Sequence, residues 1–245
     1  QGVRAATGAQ AAQQLRRDLR LGDHEPIQSV VDVLEKAGIR VMELRTRLAV
    51  DAMAGQLGDE DVVVLKPDVP GDRTRLNAAH ELGHVVFRDC AELRAGDAGE
   101  QERRAFEFAS HFLLTRRMLK EAFQGRSMVR LVQFKERYGI SLAAMVYRAQ
   151  AEAVLPKSLA KRLWIEFSRR GWRSREPGQV AEERATRFEQ IIDAAILSGR
   201  LSWHQAAAVT GMREDELRDR VEEALGPTHQ PSTQRKGGPF PKLAD

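Results

Sequence analysis

Residues 73–90 read "RTRLNAAHELGHVVFRDC". Ala79, Leu82, Val86 and Phe87 recur at the spacing of an amphipathic helix, yet two histidines and a glutamate are set into it. A lone histidine on a helix is more often a satisfied structural residue than a ligand. Here His80 and His84 lie one turn apart, so their side chains leave the same face about 5–6 Å from each other. Two imidazole nitrogens at that separation can reach one Zn²⁺ at about 2.0–2.1 Å each. Glu81 is rotated about 100° from His80 around the helix, beside the ion rather than on it, where a general base takes a proton from water. H-E-x-x-H is thus a ligand pair with its own base, and Gly83 inside it leaves room for a second element to cross closely.

Two ligands do not make a catalytic site; a third from the protein, with the fourth position open, does. The longer pattern H-E-x-x-H-x-x-G-x-x-H is not met, because Phe87 stands in place of the glycine and Cys90 in place of the third histidine. Cys90 is the weaker source of a ligand. The stronger is "EQERRAFEFASHFLL" (100–114), whose apolar stripe reads as Ala105, Phe106, Ala109 and Leu113. Glu102 continues that stripe and is expected to point inward, whereas Glu100 and Glu107 are rotated away from it. An inward carboxylate is costly without a partner, and a metal supplies one. The predicted ligands are therefore His80, His84 and Glu102, the catalytic base is Glu81, and the ion is Zn²⁺, with Mn²⁺ or another divalent metal as a substitute. His111 falls off the stripe and reads as a surface or supporting residue.

Around this helix the pattern is α+β and predominantly helical: a small N-terminal sheet packed on the H-E-x-x-H helix, then a helical C-terminal region. Ile27, Val30, Val31 and Leu34 mark a helix stopped by Gly38. "IRVMEL" (39–44) and "VVVLK" (62–66) read as strands, the second apolar enough to be covered on both faces. The stretch 51–61 adds a short strand and a turn, and "PDVPGD" (67–72) is a loop. Helices are predicted over 74–89, 100–114, 116–123, 127–138, 141–153, 157–170, 181–198, 202–210 and 213–225. The expected organisation is an extension (1–25), a zinc metallopeptidase domain (26–125), a helix-turn-helix-like segment (126–178), a C-terminal helical subdomain (179–226) and a disordered tail (227–245).

The chain has 245 residues, 39 basic against 35 acidic side chains and a formal charge of +4, too mild an excess to demand a nucleic-acid partner. One cysteine cannot form an internal disulfide, which suits a reducing cytosol. No run approaches the roughly 18 apolar residues of a membrane span, and the first residues lack the apolar stretch of a signal peptide. The expected location is cytoplasmic. The chain opens on Gln1 rather than methionine, which reads as a fragment or processed form. Ala207, Gly211 and Leu217 have helix-turn-helix spacing, with a weaker echo around Gly139, but Glu214, Asp215, Glu216 and Asp219 would repel phosphate. Trp172 among Arg169, Arg170, Arg173 and Arg175 fits a base-stacking platform or a packed tryptophan with solvated arginines.

"DRTRLNAAHELGHVVF" (72–87) followed by "ERRAFEFASHFLL" (102–114) resembles the ImmA/IrrE family of bacterial metallo-endopeptidases, with its R-x-R-[FL]-x-x-A-H-E-L-G-H helix and E-x-x-A-N-x-F-A-x-x-L-L-M-P helix. The likeness extends through "PIQSVVDVLEKAGIRVMEL" (26–44), "LVQFKERYGISLAAMVYRAQ" (131–150) and "FSRRGWRSREP" (167–177). It implies a metal held by His80, His84 and Glu102, with Glu81 as base. It further implies a protein substrate, a partner helix-turn-helix repressor whose cleavage derepresses stress-response or mobile-element genes, so that DNA comes near only through the repressor. Phe106 replaces the family's usual asparagine and Thr115 its common proline. Two other readings stand beside this one: a non-cleaving regulator or toxin partner of a helix-turn-helix protein with a structural metal, and a DNA-binding regulator acting through its C-terminal helices. Tyr138, Tyr147 and His111 are the candidates for stabilising an oxyanion; the sequence does not set the oligomeric state.

Overall fold

A two-residue turn at Gly58 and Asp59 folds β2 (Ala52–Leu57) back antiparallel on β3 (Glu60–Leu65). Gly58 supplies the positive φ, +63°, that such a hairpin requires. β1 (Arg40–Glu43) pairs parallel with the other side of β3, giving the order β1-β3-β2. β3 is therefore the central strand, which is why its apolar run is unbroken: Val63 and Leu65 are buried, and so is Val62. β2 is an edge. α2 (Val30–Lys36) leads into β1, and Gly38, at φ +86°, reverses the chain between them.

The computed structural model describes residues 7–45, 49–89, 98–125 and 127–225. Cys90 and the stretch 227–245, expected to be a tail, lie outside the described residues. The described residues divide into two compact units, one ending at Phe188 and the other beginning at Glu189.

In the first unit three helices set the frame. α3 (Gly71–Phe87) carries the H-E-x-x-H motif and ends where Arg88 adopts the left-handed conformation. α4 (Ala98–Leu113) crosses it so closely that a Cβ on Gly83 would stand 3.1 Å from the Ala105 Cα and 3.2 Å from the Phe108 ring. The other side of α4 takes α1 (Gly8–Asp18), with Gly8 against the Arg104 and Phe108 backbone. The stretch read as an extension thus contains a helix of the core. Ala11 and Ala12 are buried, and Glu107 accepts the Gly8 N–H at 3.0 Å. α1 is short of large apolar residues, so its periodicity is faint; small residues are what the close crossing requires.

The covered stripe of α4 also differs from expectation. Ala105, Phe108, Ala109, Phe112 and Leu113 are buried, while Phe106 is 43% exposed. Four further helices complete the unit: α5 (Arg116–Ala122), α6 (Met128–Tyr138), α7 (Leu142–Ala151) and α8 (Lys157–Arg169). Gly139, at φ +64°, makes the turn between α6 and α7 and lies against Arg75, where a Cβ would collide with the guanidinium.

After α8 the chain runs as a strap rather than a helix up to residue 185, so the helix expected from 181 starts five residues late. Its carboxylates are engaged elsewhere. Glu176 accepts the Leu142 and Ala143 N–H groups at the start of α7 (2.7 and 2.9 Å) and pairs with buried Lys135 at 3.0 Å. Glu183 accepts from the Val30 and Val31 N–H groups at the start of α2 (2.7 and 2.8 Å) and pairs with the buried Arg75 guanidinium. Each carboxylate therefore caps a helix N-terminus, where negative charge is favourable, and neutralises a buried cation.

The second unit is built on α9 (Thr186–Leu197), α10 (Trp203–Thr210) and α11 (Glu214–Leu225). Ile192, Ile196, Ala206, Leu217 and Val221 are its buried residues. Gly211, at φ +69°, turns α10 into α11, and Ser202 with Gln205 forms a capping box on α10.

Glu183→Ala should cost about 3–5 kcal/mol of stability, because it leaves Arg75 buried without its carboxylate. A urea unfolding curve followed by circular dichroism will show the midpoint fall; an unchanged midpoint would refute the strap's role.

Candidate metal centre

Because α3 and α4 cross at Gly83, the imidazoles on the exposed flank of α3 meet the first turns of α4. His80 Nε2 lies 3.1 Å from His84 Nε2 and 3.1 Å from Glu102 Oε2, and His84 Nε2 is 3.3 Å from Glu102 Oε1. These three side chains form a cluster of donors that could hold a metal ion. The spacing can be tested against coordination geometry. Two donors each about 2.0–2.1 Å from a tetrahedral ion stand about 3.3 Å apart; the imidazole pair is 3.1 Å apart, and each imidazole lies within 3.1–3.3 Å of a different Glu102 oxygen. Two nitrogens and one oxygen also suit a zinc-class ion in donor chemistry.

The structure corrects one premise. Glu102 does not point into the core: its side chain is 64% exposed. It shares a helical stripe with Ala105, Ala109 and Phe112, but it sits on the first turns of α4, beyond the part covered by neighbours. The stripe argument finds the right face without the burial that motivated it.

Glu81 stands apart from the cluster and is buried, at 8% exposure. Burial raises its carboxyl pKa above the ordinary value, opposed by His84 and by the Ala54 backbone N–H of edge strand β2. Burial, with His84 beside it, lowers the pKa of His80, which favours the neutral imidazole that a metal needs. Both shifts run in the direction useful for a ligand and a base.

Asp89 was not anticipated. It follows α3 after the left-handed turn at Arg88, and its Oδ2 lies 3.4 Å from His84 Nδ1 without hydrogen-bonding to it or to any other group among the described residues. Its Oδ1 accepts from Arg104 at 2.6 Å, and the Arg104 guanidinium lies over the Phe87 ring at 4.1 Å. A buried carboxylate facing the far nitrogen of an imidazole favours the tautomer that carries its proton on that side. Helical periodicity cannot reveal it, because the residue lies past the end of the helix.

The residues proposed for the oxyanion serve elsewhere or stand in solvent. The Tyr138 hydroxyl donates to the His24 carbonyl at 2.9 Å. His111 sits between Arg148 (3.3 Å) and Glu152 (3.4 Å) on the side of α4 that faces α7. Tyr147 is 61% exposed.

Residues 34–150, just under half of the chain, match a peptidase family model described as IrrE N-terminal-like domain. This segment belongs to that family. The matched segment contains His80, Glu81, His84, Asp89 and Glu102, so the whole cluster lies within the IrrE N-terminal-like domain. A solved structure described as a Mycobacterium tuberculosis transcriptional regulator is similar at 18% identity and a TM-score of 0.39, over 58% of this chain and 45% of that one. The matched region is thus less than half of that protein's length. Comparison with curated proteins finds no significant match. No helix among the described residues is long and apolar enough to cross a membrane.

Asp89→Asn keeps the side chain's shape and removes its charge. It should weaken zinc binding about 10–100-fold in a chelator competition assay; an unchanged affinity would mean that Asp89 serves Arg104 alone.

Proposed function

We propose that this protein is a metal-dependent endopeptidase that cleaves a helix-turn-helix transcriptional repressor. The observation that carries the reading is the pairing of a close donor cluster, His80, His84 and Glu102, with a separate buried carboxylate, Glu81, on the same turn as the two histidines. A structural metal site has no use for a base at that position. Membership of a peptidase family supports the hydrolytic part. The repressor as substrate rests on the sequence resemblance described above.

A divalent ion held by the cluster would polarise a peptide carbonyl and let water lose a proton near neutral pH. Glu81 takes that proton and passes it to the leaving amine nitrogen. Its raised pKa brings it nearer the operating pH, which helps it both to accept the proton and to release it. β2 is an edge strand, and its Ala54 N–H faces the Glu81 carboxylate, so its exposed side lies beside the base. An extended substrate segment laid along that edge would gain main-chain hydrogen bonds and bring its carbonyl to the centre. Asp89 places a negative charge 3.4 Å from His84 Nδ1, and the Gly83 crossing brings Glu102 against both imidazoles.

Incubation with helix-turn-helix repressors of the source organism, in the presence of Zn²⁺, should yield discrete fragments of one of them, and a chelator should stop the reaction until the metal is restored. Glu81→Gln should retain the metal and lose about 10²–10⁴-fold in rate. If that variant cleaves as well as the parent, the base assignment is wrong. If the parent cuts an unfolded test protein but leaves the repressor whole, the peptidase stands and the substrate does not.

A further inference from the structure

Residues 157–175 hold seven basic side chains and one acidic one, a net of +6 inside a chain of +4. The rest of the chain is therefore slightly acidic, and the positive charge is concentrated on α8 and the turn after it. Neither the metal centre nor its proposed reaction uses this segment.

Its arrangement is specific. Lys157, Lys161, Trp164 and Ser168 follow one another at i, i+4, i+7 and i+11, a single stripe about 16 Å long on α8. The opposite side of the helix is packed, with Ala160 and Phe167 buried. Arg173 reaches back from the turn over the Trp164 ring, 5.2 Å from its centre, and Gln150 of α7 closes the other wall. Together they line an open groove of about 500 Å³. The segment's one carboxylate, Glu166, is taken by Arg169 and Arg170. Lys157, Lys161, Arg162, Arg173 and Arg175 form no ion pair among the described residues and are all exposed.

We propose that this face binds the phosphate backbone of duplex DNA without reading its bases. A row of unpaired, solvent-facing cations is matched by a polymer carrying one negative charge per about 1.7 Å. The tryptophans argue for backbone rather than base contact. Arg173 covers Trp164, and Arg170 lies over Trp172 at 5.0 Å, so the rings fix the guanidiniums instead of offering free faces for stacking. A lipid surface would need an apolar stripe beside the charges; Ile165 alone supplies one, at 58% exposure. The inference does not depend on the protease reading, since no residue of the metal centre takes part.

The test is fluorescence anisotropy of the full chain with a labelled duplex of arbitrary sequence, titrated over a range of salt. The expected result is binding whose affinity falls steeply with salt and is indifferent to sequence. Changing Lys157, Lys161 and Arg173 together to Ala should weaken it at least tenfold and reduce the salt slope by about 2–3, near 0.9 for each lost phosphate contact. All three are exposed, so circular dichroism should show an unchanged fold. No binding to the duplex at low salt, equal binding by the triple variant, or binding only to single strands or to anionic lipid vesicles would each overturn the proposal.

Discussion

The close approach of α3 and α4 at Gly83 is the constraint on which the site depends. Two helices with ordinary side chains at their contact stand 8–10 Å apart. Here a residue without a Cβ on α3 faces Ala105 on α4, at a contact that leaves no room for a larger side chain at position 83. That contact decides whether a carboxylate on α4 can meet imidazoles on α3. Glu102 has no other reason to face them, since it is largely exposed and is bound by no packing of its own. Backbone proximity, rather than burial, brings the third candidate donor in.

The same helix is held from behind by charges that the core does not otherwise tolerate. Arg16 donates from within α1 to the Phe112, Gly22 and Glu25 carbonyls (2.8, 2.6 and 2.7 Å). Arg75 on α3 donates to Ile27 and Gln28 and pairs with Glu183. Burial lowers the pKa of both guanidiniums, yet each is surrounded by oxygens that offset part of the desolvation. Such residues add little net stability compared with apolar packing, but they dictate which loop lies against which helix. The strap from 170 to 185 is the clearest result: its path follows from where Glu176 and Glu183 find buried cations and free helix N–H groups.

Helices with large apolar stripes and glycine stops, such as α6 and α7 with Gly139 between them, were legible in the sequence, as were the covered strand β3 and the histidine pair. Local periodicity and turn chemistry carry those features. α1 was not legible, because its contact uses alanine and glycine, which mark a helix face weakly. The late start of α9 was not legible either: residues 181–185 have helical composition, and only a tertiary demand on Glu183 and on the Ala185 N–H, which bonds to Glu43 at 3.0 Å, holds them extended. In the candidate site the sequence pointed to Glu102 through a stripe that includes it, though with Phe106 wrongly placed inside. Asp89 had no local signal, because its meaning comes from a left-handed turn that folds it back over His84.

Within the site, burial is uneven, and the unevenness has a chemical sense. Glu81 lies under cover with β2 beside it, where desolvation raises its affinity for a proton. His80 is half-buried, where desolvation lowers its affinity for one. Glu102 stands largely in water. Solvent access thus differs among neighbouring side chains of the cluster, and the difference separates the proposed proton acceptor from the candidate donors beside it. Glu81, buried beside β2, and Glu102, exposed on α4, are the same side chain in two environments, and the division of tasks proposed for them follows from that difference.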